Sequence, residues 1–174
     1  MKTDALFRLL DTHTVRYVVV GGLAATVHGS ARVTYDIDIV PKWSTANLER
    51  LAGALRAAGA KLHQRGTSVP VDFPIDADRL RRFEVSTWRT RFGDLDVIIG
   101  TPTAHRGQLA RYEQLAKRAH RLEAFGLTIL VADLDDVIES KEVLARDPDL
   151  VALPELHRLR DRLNAGTQPP HRRG

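Results

Sequence analysis

Gly21-Gly22-Leu23-Ala24-Ala25-Thr26-Val27-His28-Gly29-Ser30-Ala31-Arg32-Val33-Thr34-Tyr35-Asp36-Ile37-Asp38 runs from the end of one apolar segment into the middle of the next, and its reading decides the fold. Upstream, residues 16–20 (Arg-Tyr-Val-Val-Val) form a strand that Gly21-Gly22 stops. Residues 23–28 read as a short helix ended by Gly29-Ser30, and residues 33–40 as a second strand closed by Pro41. Alternation along that strand puts Asp36 and Asp38 on one face, about 7 Å apart, with Ile37 and Ile39 turned to the core. Two carboxylates on one half-buried face repel unless a cation or basic side chain neutralises them. Magnesium suits such a pair, because it binds through a few carboxylates plus phosphate oxygens. An Asp-x-Asp taken alone is equally at home on a solvent-facing strand edge.

Working outward, Ser44 is placed to cap a helix whose apolar positions Leu48, Leu51, Ala52 and Leu55 keep helical spacing up to Gly59, so the first part of the chain reads β-α-β-α. An opening helix is expected over 4–11. Past the prolines at 70 and 74, residues 83–92 and 95–99 read as strands joined at Gly93-Asp94, and 106–118 as a helix. Two short strands flank Gly126 within 121–131. Asp133 can cap a helix running to about Arg146, Pro148 interrupts the helical pattern, and a last helix begins at Asp149 or Pro154 and ends near Asn164. These elements predict one α/β or α+β domain with a mixed sheet flanked by helices. The domain is expected over 1–166, with a core at about 15–100 and a C-terminal strand and helical part at about 101–166. A basic flexible tail follows over 167–174.

Composition excludes several classes. A chain of 174 residues with 43% hydrophobic and 28% charged residues has the balance of a single globular domain. No apolar run approaches the roughly 18 residues of a membrane span, and the first dozen residues are too short and too charged for a secretion signal, so a cytoplasmic protein without a membrane partner is expected. With no cysteine there is neither disulfide nor thiol chemistry nor a Cys-based zinc site. The seven histidines form no H-x-x-x-H or H-E-x-x-H pair, and Ser30, Ser68 and Ser86 lack a G-x-S-x-G elbow. The net charge is +4, two of it from Arg172 and Arg173. Five arginines stand against Glu84 over 79–91, five basic residues against Glu113 over 105–121, and seven acids against Lys141 and Arg146 over 133–149. Such separation lets one chain bind a polyanion and a cation, although solvated basic faces give the same pattern.

Context strengthens the Asp36-x-Asp38 signal on both sides. Gly21-Gly22 sits where a strand turns into a helix, so bare backbone N–H groups can meet an anion there, although the stretch is neither a G-x-G-x-x-G nor a Walker loop. Downstream, Asp96 interrupts the apolar run Leu95-Asp96-Val97-Ile98-Ile99. If its strand lies beside that of Asp36, three carboxylates surround one pocket, as two-metal phosphoryl transfer requires. Lys141 shares a helix with Val137, Ile138 and Leu144 and either projects toward phosphate or sits as a surface neighbour of carboxylates. Arg32 and Thr34 stand just ahead of the acidic strand, where they can reach phosphate or a base. His28 fits a packing or capping role at a helix end and is also a candidate nucleotide contact. Asp133, Asp135 and Asp136 suit a helix N-terminus. Trp43 and Trp88 read as core or rim residues, with Trp88, among Arg82, Arg89 and Arg91, also able to stack an unpaired base.

Gly21-Gly22, thirteen intervening residues, Asp36-x-Asp38 and the later Asp96 between apolar residues together resemble the polymerase-β-type nucleotidyltransferase superfamily. The fuller string from Gly21 to Asp38 is similar to the small bacterial nucleotidyltransferases of the AbiEii type, which include the mycobacterial MenT toxins. The similarity continues through Val131-Ala132-Asp133-Leu134-Asp135-Asp136-Val137-Ile138-Glu139-Ser140-Lys141 into Arg146-Asp147-Pro148-Asp149-Leu150, where family members often read Arg-x-Lys-Asp-Leu, and spans about residues 15–155. Pro148 stands in place of that lysine, while Asp149 keeps its position.

The resemblance implies transfer of NMP from an NTP to a hydroxyl, with two magnesium ions held by Asp36, Asp38 and Asp96, and Asp96 favouring deprotonation of the acceptor. Gly21 and Gly22 become the backbone cradle, and Lys141 and Asp149 join the nucleotide contacts. For the toxin branch it implies an RNA acceptor, the tRNA 3′ end, and a cognate antitoxin protein in a toxin–antitoxin pair. Other small relatives modify proteins or small molecules such as aminoglycosides. A catalytically silent RNA- or protein-binding module is the alternative from outside enzymology.

Overall fold

The structure is a computed structural model that describes residues 2–63 and 71–167. Helix α1 (Thr3–Thr12) precedes β1 (Tyr17–Val20), α2 (Gly21–Val27), β2 (Asp36–Pro41), α3 (Thr45–Ala57), β3 (Lys61–His63) and the single turn α4 (Ala77–Leu80). Next come β4 (Val85–Thr90), β5 (Gly93–Ile98), β6 (Thr101–Pro102), β7 (Leu109–Ala110), α5 (Tyr112–Arg118), β8 (His120–Ala124), β9 (Leu127–Val131), α6 (Leu134–Leu144) and α7 (Asp147–Thr167). Seven strands form one sheet in the order β3-β4-β5-β2-β1-β9-β8, and β6 and β7 make a separate hairpin. The β2–β5 and β1–β9 pairs are parallel and the rest antiparallel, so the sheet is mixed, as expected from the sequence.

The core explains this order. Ile37, Ile39, Leu95 and Trp88 of the central strands are fully buried with Leu6 and Leu10 of α1 and Leu48, Leu51 and Leu55 of α3. Each such side chain contributes about 1.5–3 kcal/mol of transfer free energy. Helix α3 ends in a Schellman motif. The Ala60 N–H donates to Leu55 O at 2.9 Å and the Gly59 N–H to Arg56 O at 3.0 Å, with Gly59 at φ +64° in the left-handed region that glycine adopts without cost.

Several expected boundaries move. The second strand starts at Asp36, where its pairing with Asp94 of β5 begins; ahead of it Val33 and Tyr35 are exposed. The β4–β5 turn falls on Arg91-Phe92, with Gly93 already paired to Thr90, whose hydroxyl accepts the Phe92 N–H and donates to Gly93 O. The helix expected over 106–118 is only α5, since Gly107 adopts φ +78° and the chain before it turns back to form the β6–β7 hairpin. Ser44 occupies the cap position of α3 without a side-chain hydrogen bond; its carbonyl receives the Asn47 and Leu48 N–H groups. Pro148 does not interrupt a helix but lies in the first turn of α7, where a missing N–H is harmless, and Ala145 at φ 46° makes the break from α6. Of the expected tail, residues 168–174 lie outside the described residues, as do Ser68 and Pro70. Among the described residues, no helix is long and apolar enough to cross a membrane.

Candidate active site

Register places the acids. Parallel pairing sets Asp36 opposite Asp94 and Asp38 opposite Asp96, so two aspartates of β2 and two of β5 share a face at the centre of the sheet, and Asp94 is taken up by Arg89 of β4 at 3.2 Å. One carboxylate oxygen from each of Asp36, Asp38 and Asp96 lies within 4.8 Å of the others, a spacing that one or two cations can bridge. Burial, then the charges of Asp96 and Asp36, push the Asp38 carboxyl up to about 7, against the opposing pull of the Gly22 N–H and of Lys141. Three carboxylates this close, one of them raised by burial and by its two like-charged neighbours, make a donor set that a divalent cation would relieve and that fits magnesium.

The glycine pair is built around these acids. Gly21 sits at φ +63°, and a Cβ on it would run into the Asp38 carboxylate. A Cβ on Gly22 would lie 2.8 Å from the Thr34 hydroxyl oxygen. That hydroxyl donates to Asp36 Oδ1 at 2.8 Å, fixing the exposed end of the cluster. In this structure the Gly22 N–H serves Asp38. The glycine turn therefore donates to a carboxylate of the cluster, and Gly21 also lies on the wall of a cavity.

Lys141 reaches the same region from α6, with its ammonium 2.9 Å from Asp149 Oδ1. Asp149 is buried at 1% exposure and also takes the Arg146 Nε–H at 2.6 Å. Burial works to raise the Asp149 carboxyl, but the hydrogen bonds and charges of Arg146 and Lys141 hold it below the usual range. Both cations feel Asp38 across the site. A cavity of about 1030 Å³ opens here, and Gly21, Asp96, Lys141, Arg146 and Asp149 are on its wall.

Other expected residues separate from this centre. His28 turns its Nε2 to Ala132 O at 2.8 Å and packs edge-on against His120 at 5.0 Å, the packing role foreseen for it, and it is not on the cavity wall. Arg32 is exposed on the segment before β2. Trp88 is completely buried with its Nε1–H on Ser86 Oγ at 2.9 Å, so it cannot stack a base. In the basic segments, Arg79 pairs with Asp76, Arg81 with Asp78 at 3.5 Å, Arg89 with Asp94 at 3.2 Å and Arg118 with Asp136. Of the three acids assigned to the start of α6, Asp133 caps it by accepting the Asp135 N–H, whereas Asp136 is buried and faces the cavity. Arg146 and Asp136 line the cavity without being marked by the sequence pattern. Arg146 stood inside the quoted Arg-Asp-Pro-Asp-Leu stretch; nothing in the sequence separates Asp136 from an ordinary helix-start acid.

No protein-family model matches the chain. No curated protein matches it either. Among solved structures, the lincomycin-bound lincosamide antibiotic adenylyltransferase LnuA is 13% identical with a TM-score of 0.54, the match covering 91% of this chain and 98% of that one. ANT(2″)-Ia in complex with adenylyl-2″-tobramycin is 13% identical with a TM-score of 0.52, over 91% of this chain and 87% of that one. A Thermotoga maritima protein with a provisional nucleotidyltransferase assignment is 16% identical with a TM-score of 0.51, over 94% and 91%. With the mixed sheet and its flanking helices aligned nearly end to end, the chain has the fold of these nucleotidyltransferases.

Proposed function

We propose that this chain is a divalent-metal-dependent enzyme that transfers NMP from an NTP to an acceptor hydroxyl and releases pyrophosphate. The observation that carries the reading is the in-register cluster of Asp36, Asp38 and Asp96 beside a glycine turn, with two basic side chains across from it. In the reaction the acceptor oxygen bonds to the α-phosphorus. The bond from that phosphorus to the oxygen bridging the β-phosphorus breaks, and its electron pair leaves with pyrophosphate. The acceptor proton passes to Asp96, the cluster member on the cavity wall. Asp36 and Asp38 with Asp96 would hold magnesium, which supplies neutralisation of the triphosphate and acidification of the acceptor hydroxyl. Lys141 and Arg146 offset phosphate charge as Asp149 fixes their direction.

Two acceptors have support. The Gly21–Asp38 string and its continuation to Asp149 favour RNA, the tRNA 3′ end, with the chain acting as a toxin held by an antitoxin protein. The second reading is a small-molecule acceptor, favoured by the fold neighbours whose structures hold lincomycin and an adenylylated tobramycin. It is favoured too by the internal ion pairs that occupy Arg79, Arg81, Arg89 and Arg118. The test is incubation with each labelled NTP and total tRNA, lincomycin or tobramycin, with and without magnesium, beside Asp38→Ala. Label on one acceptor, dependent on magnesium and Asp38, is the expected result. Nucleotide transfer that persists in Asp38→Ala, or no transfer and no magnesium-dependent NTP binding by the native chain, overturns it.

A further inference from the structure

Helix α6 forms one wall of the cavity over its whole length, with Asp136, Val137, Ser140, Lys141 and Leu144 turned inward. Lys141 stands near its C-terminal end, in the basic corner with Arg146 and Asp149. Asp136 stands five residues earlier, about 7–8 Å along the helix axis. At that end the cavity is roofed by Pro102 and Leu109 of the β6–β7 hairpin, which Glu139 of α6 ties down by accepting the Ala104 N–H at 2.9 Å. Elsewhere the same cavity is lined by the apolar Leu62, Phe73, Phe83 and Val85 together with the polar Ser86 and Thr87.

The Asp136 side chain on this wall is 2% exposed. Its Oδ1 is paired with the Arg118 guanidinium, whereas its Oδ2 is buried and has no hydrogen-bond partner among the described residues. A buried carboxylate oxygen left without a donor costs folding free energy, so its place on a cavity wall marks where a ligand donor belongs. The charge is already neutralised by Arg118, so a second full cation gains little there, while a neutral O–H or N–H donor gains a charge-assisted hydrogen bond.

We infer that the Asp136 end of the cavity is the acceptor subsite, and that it takes an uncharged, hydroxyl- or amide-bearing small molecule with an apolar body, which Asp136 Oδ2 orients by accepting a hydrogen bond. The inference rests on the transferase reading for the word acceptor, but the site is tested by binding alone. Phenyl, naphthyl and octyl glucosides serve as neutral donor-bearing probes, tobramycin as a polycation and total tRNA as a polyanion, each titrated onto the native chain with magnesium and a non-hydrolysable ATP analogue. At least one glucoside is expected to bind, and Asp136→Leu to weaken it about tenfold while leaving affinity for the ATP analogue unchanged. Should Asp136→Leu fail to fold, Arg118→Gln, changed at a half-exposed side chain, is expected to shift selectivity at least tenfold from glucoside toward tobramycin. Binding of no glucoside, an unchanged glucoside affinity in Asp136→Leu, a preference of the native chain for tobramycin or tRNA, or no selectivity shift in Arg118→Gln overturns the inference. Loss of magnesium-dependent binding of the ATP analogue by the native chain is a separate result, and it counts against the transferase reading.

Discussion

Two groups of charge, the sheet acids through Asp96 and the α6–α7 corner, meet at one cavity, and they are built on opposite rules. At the α6–α7 corner one buried carboxylate, Asp149, is met by two cations, Lys141 and Arg146, and its carboxyl is held low. On the sheet three carboxylates are brought within 4.8 Å of one another, and the Asp38 carboxyl is pushed up to about 7. The first group is complete without a ligand. The second carries uncompensated like charge, the arrangement on which the proposed metal site rests.

Breaking the sheet cluster has the largest expected effect. Asp38→Ala should lower nucleotide transfer by about 10³-fold or more, read as label incorporation, while circular dichroism stays unchanged. Breaking the corner should instead cost stability. Asp149→Ala leaves Lys141 and Arg146 without their shared partner and should lower unfolding free energy by about 2–3 kcal/mol in urea titrations, less than a fully buried pair because Arg146 is half exposed. Gly21→Ala places a methyl against the Asp38 carboxylate at a φ of +63° and should reduce transfer about 10²-fold, seen in kcat more than in the NTP KM.

The comparison sharpens with pH. For Asp38 the folded chain keeps a proton that the unfolded chain loses near pH 4, so this group's stability contribution falls as pH rises from about 4 to about 7. For Asp149 the sign is reversed: its contribution is present above the ordinary carboxylate range and is lost only as pH falls below it. Metal-free protein should therefore melt several degrees lower at pH 8 than at pH 5.5, Asp38→Asn should flatten that dependence, and magnesium should raise Tm more at pH 8 than at pH 5.5. The smallest effect belongs to the surface arginines. Arg81→Ala and Arg89→Ala, removing exposed ion pairs, should each change stability by less than about 0.5 kcal/mol in the same urea titrations.

The acids of the sheet were legible in the sequence because they break a strong local rule. Asp36, Asp38 and Asp96 interrupt β-branched and leucine-rich runs, and period-2 alternation suffices to put the first two on one face. That β2 and β5 are parallel neighbours is a long-range fact, which the sequence offered only as a condition. The residues that escaped notice are those whose meaning is tertiary. Asp136 has the same place in sequence as any acid in a first helical turn, and only the tertiary packing of α6 makes it a buried wall residue paired with Arg118. Trp88 has Ser86 and Thr90 as its same-face neighbours along β4, so no run of apolar residues in the sequence marks the face that the fold buries. Residues 106–111 carry enough helix formers to suggest a longer α5, which Gly107 and the hairpin pairing override.

The central claim is that the sheet cluster exists to hold divalent cations against a triphosphate. Its most direct test is electron paramagnetic resonance titration of Mn²⁺ onto the chain with an ATP analogue bearing a methylene between the α- and β-phosphates. The account predicts that Asp38→Asn weakens Mn²⁺ binding by at least tenfold and that Arg89→Ala leaves it unchanged. Mn²⁺ held equally tightly by the native chain and by Asp38→Asn would contradict it.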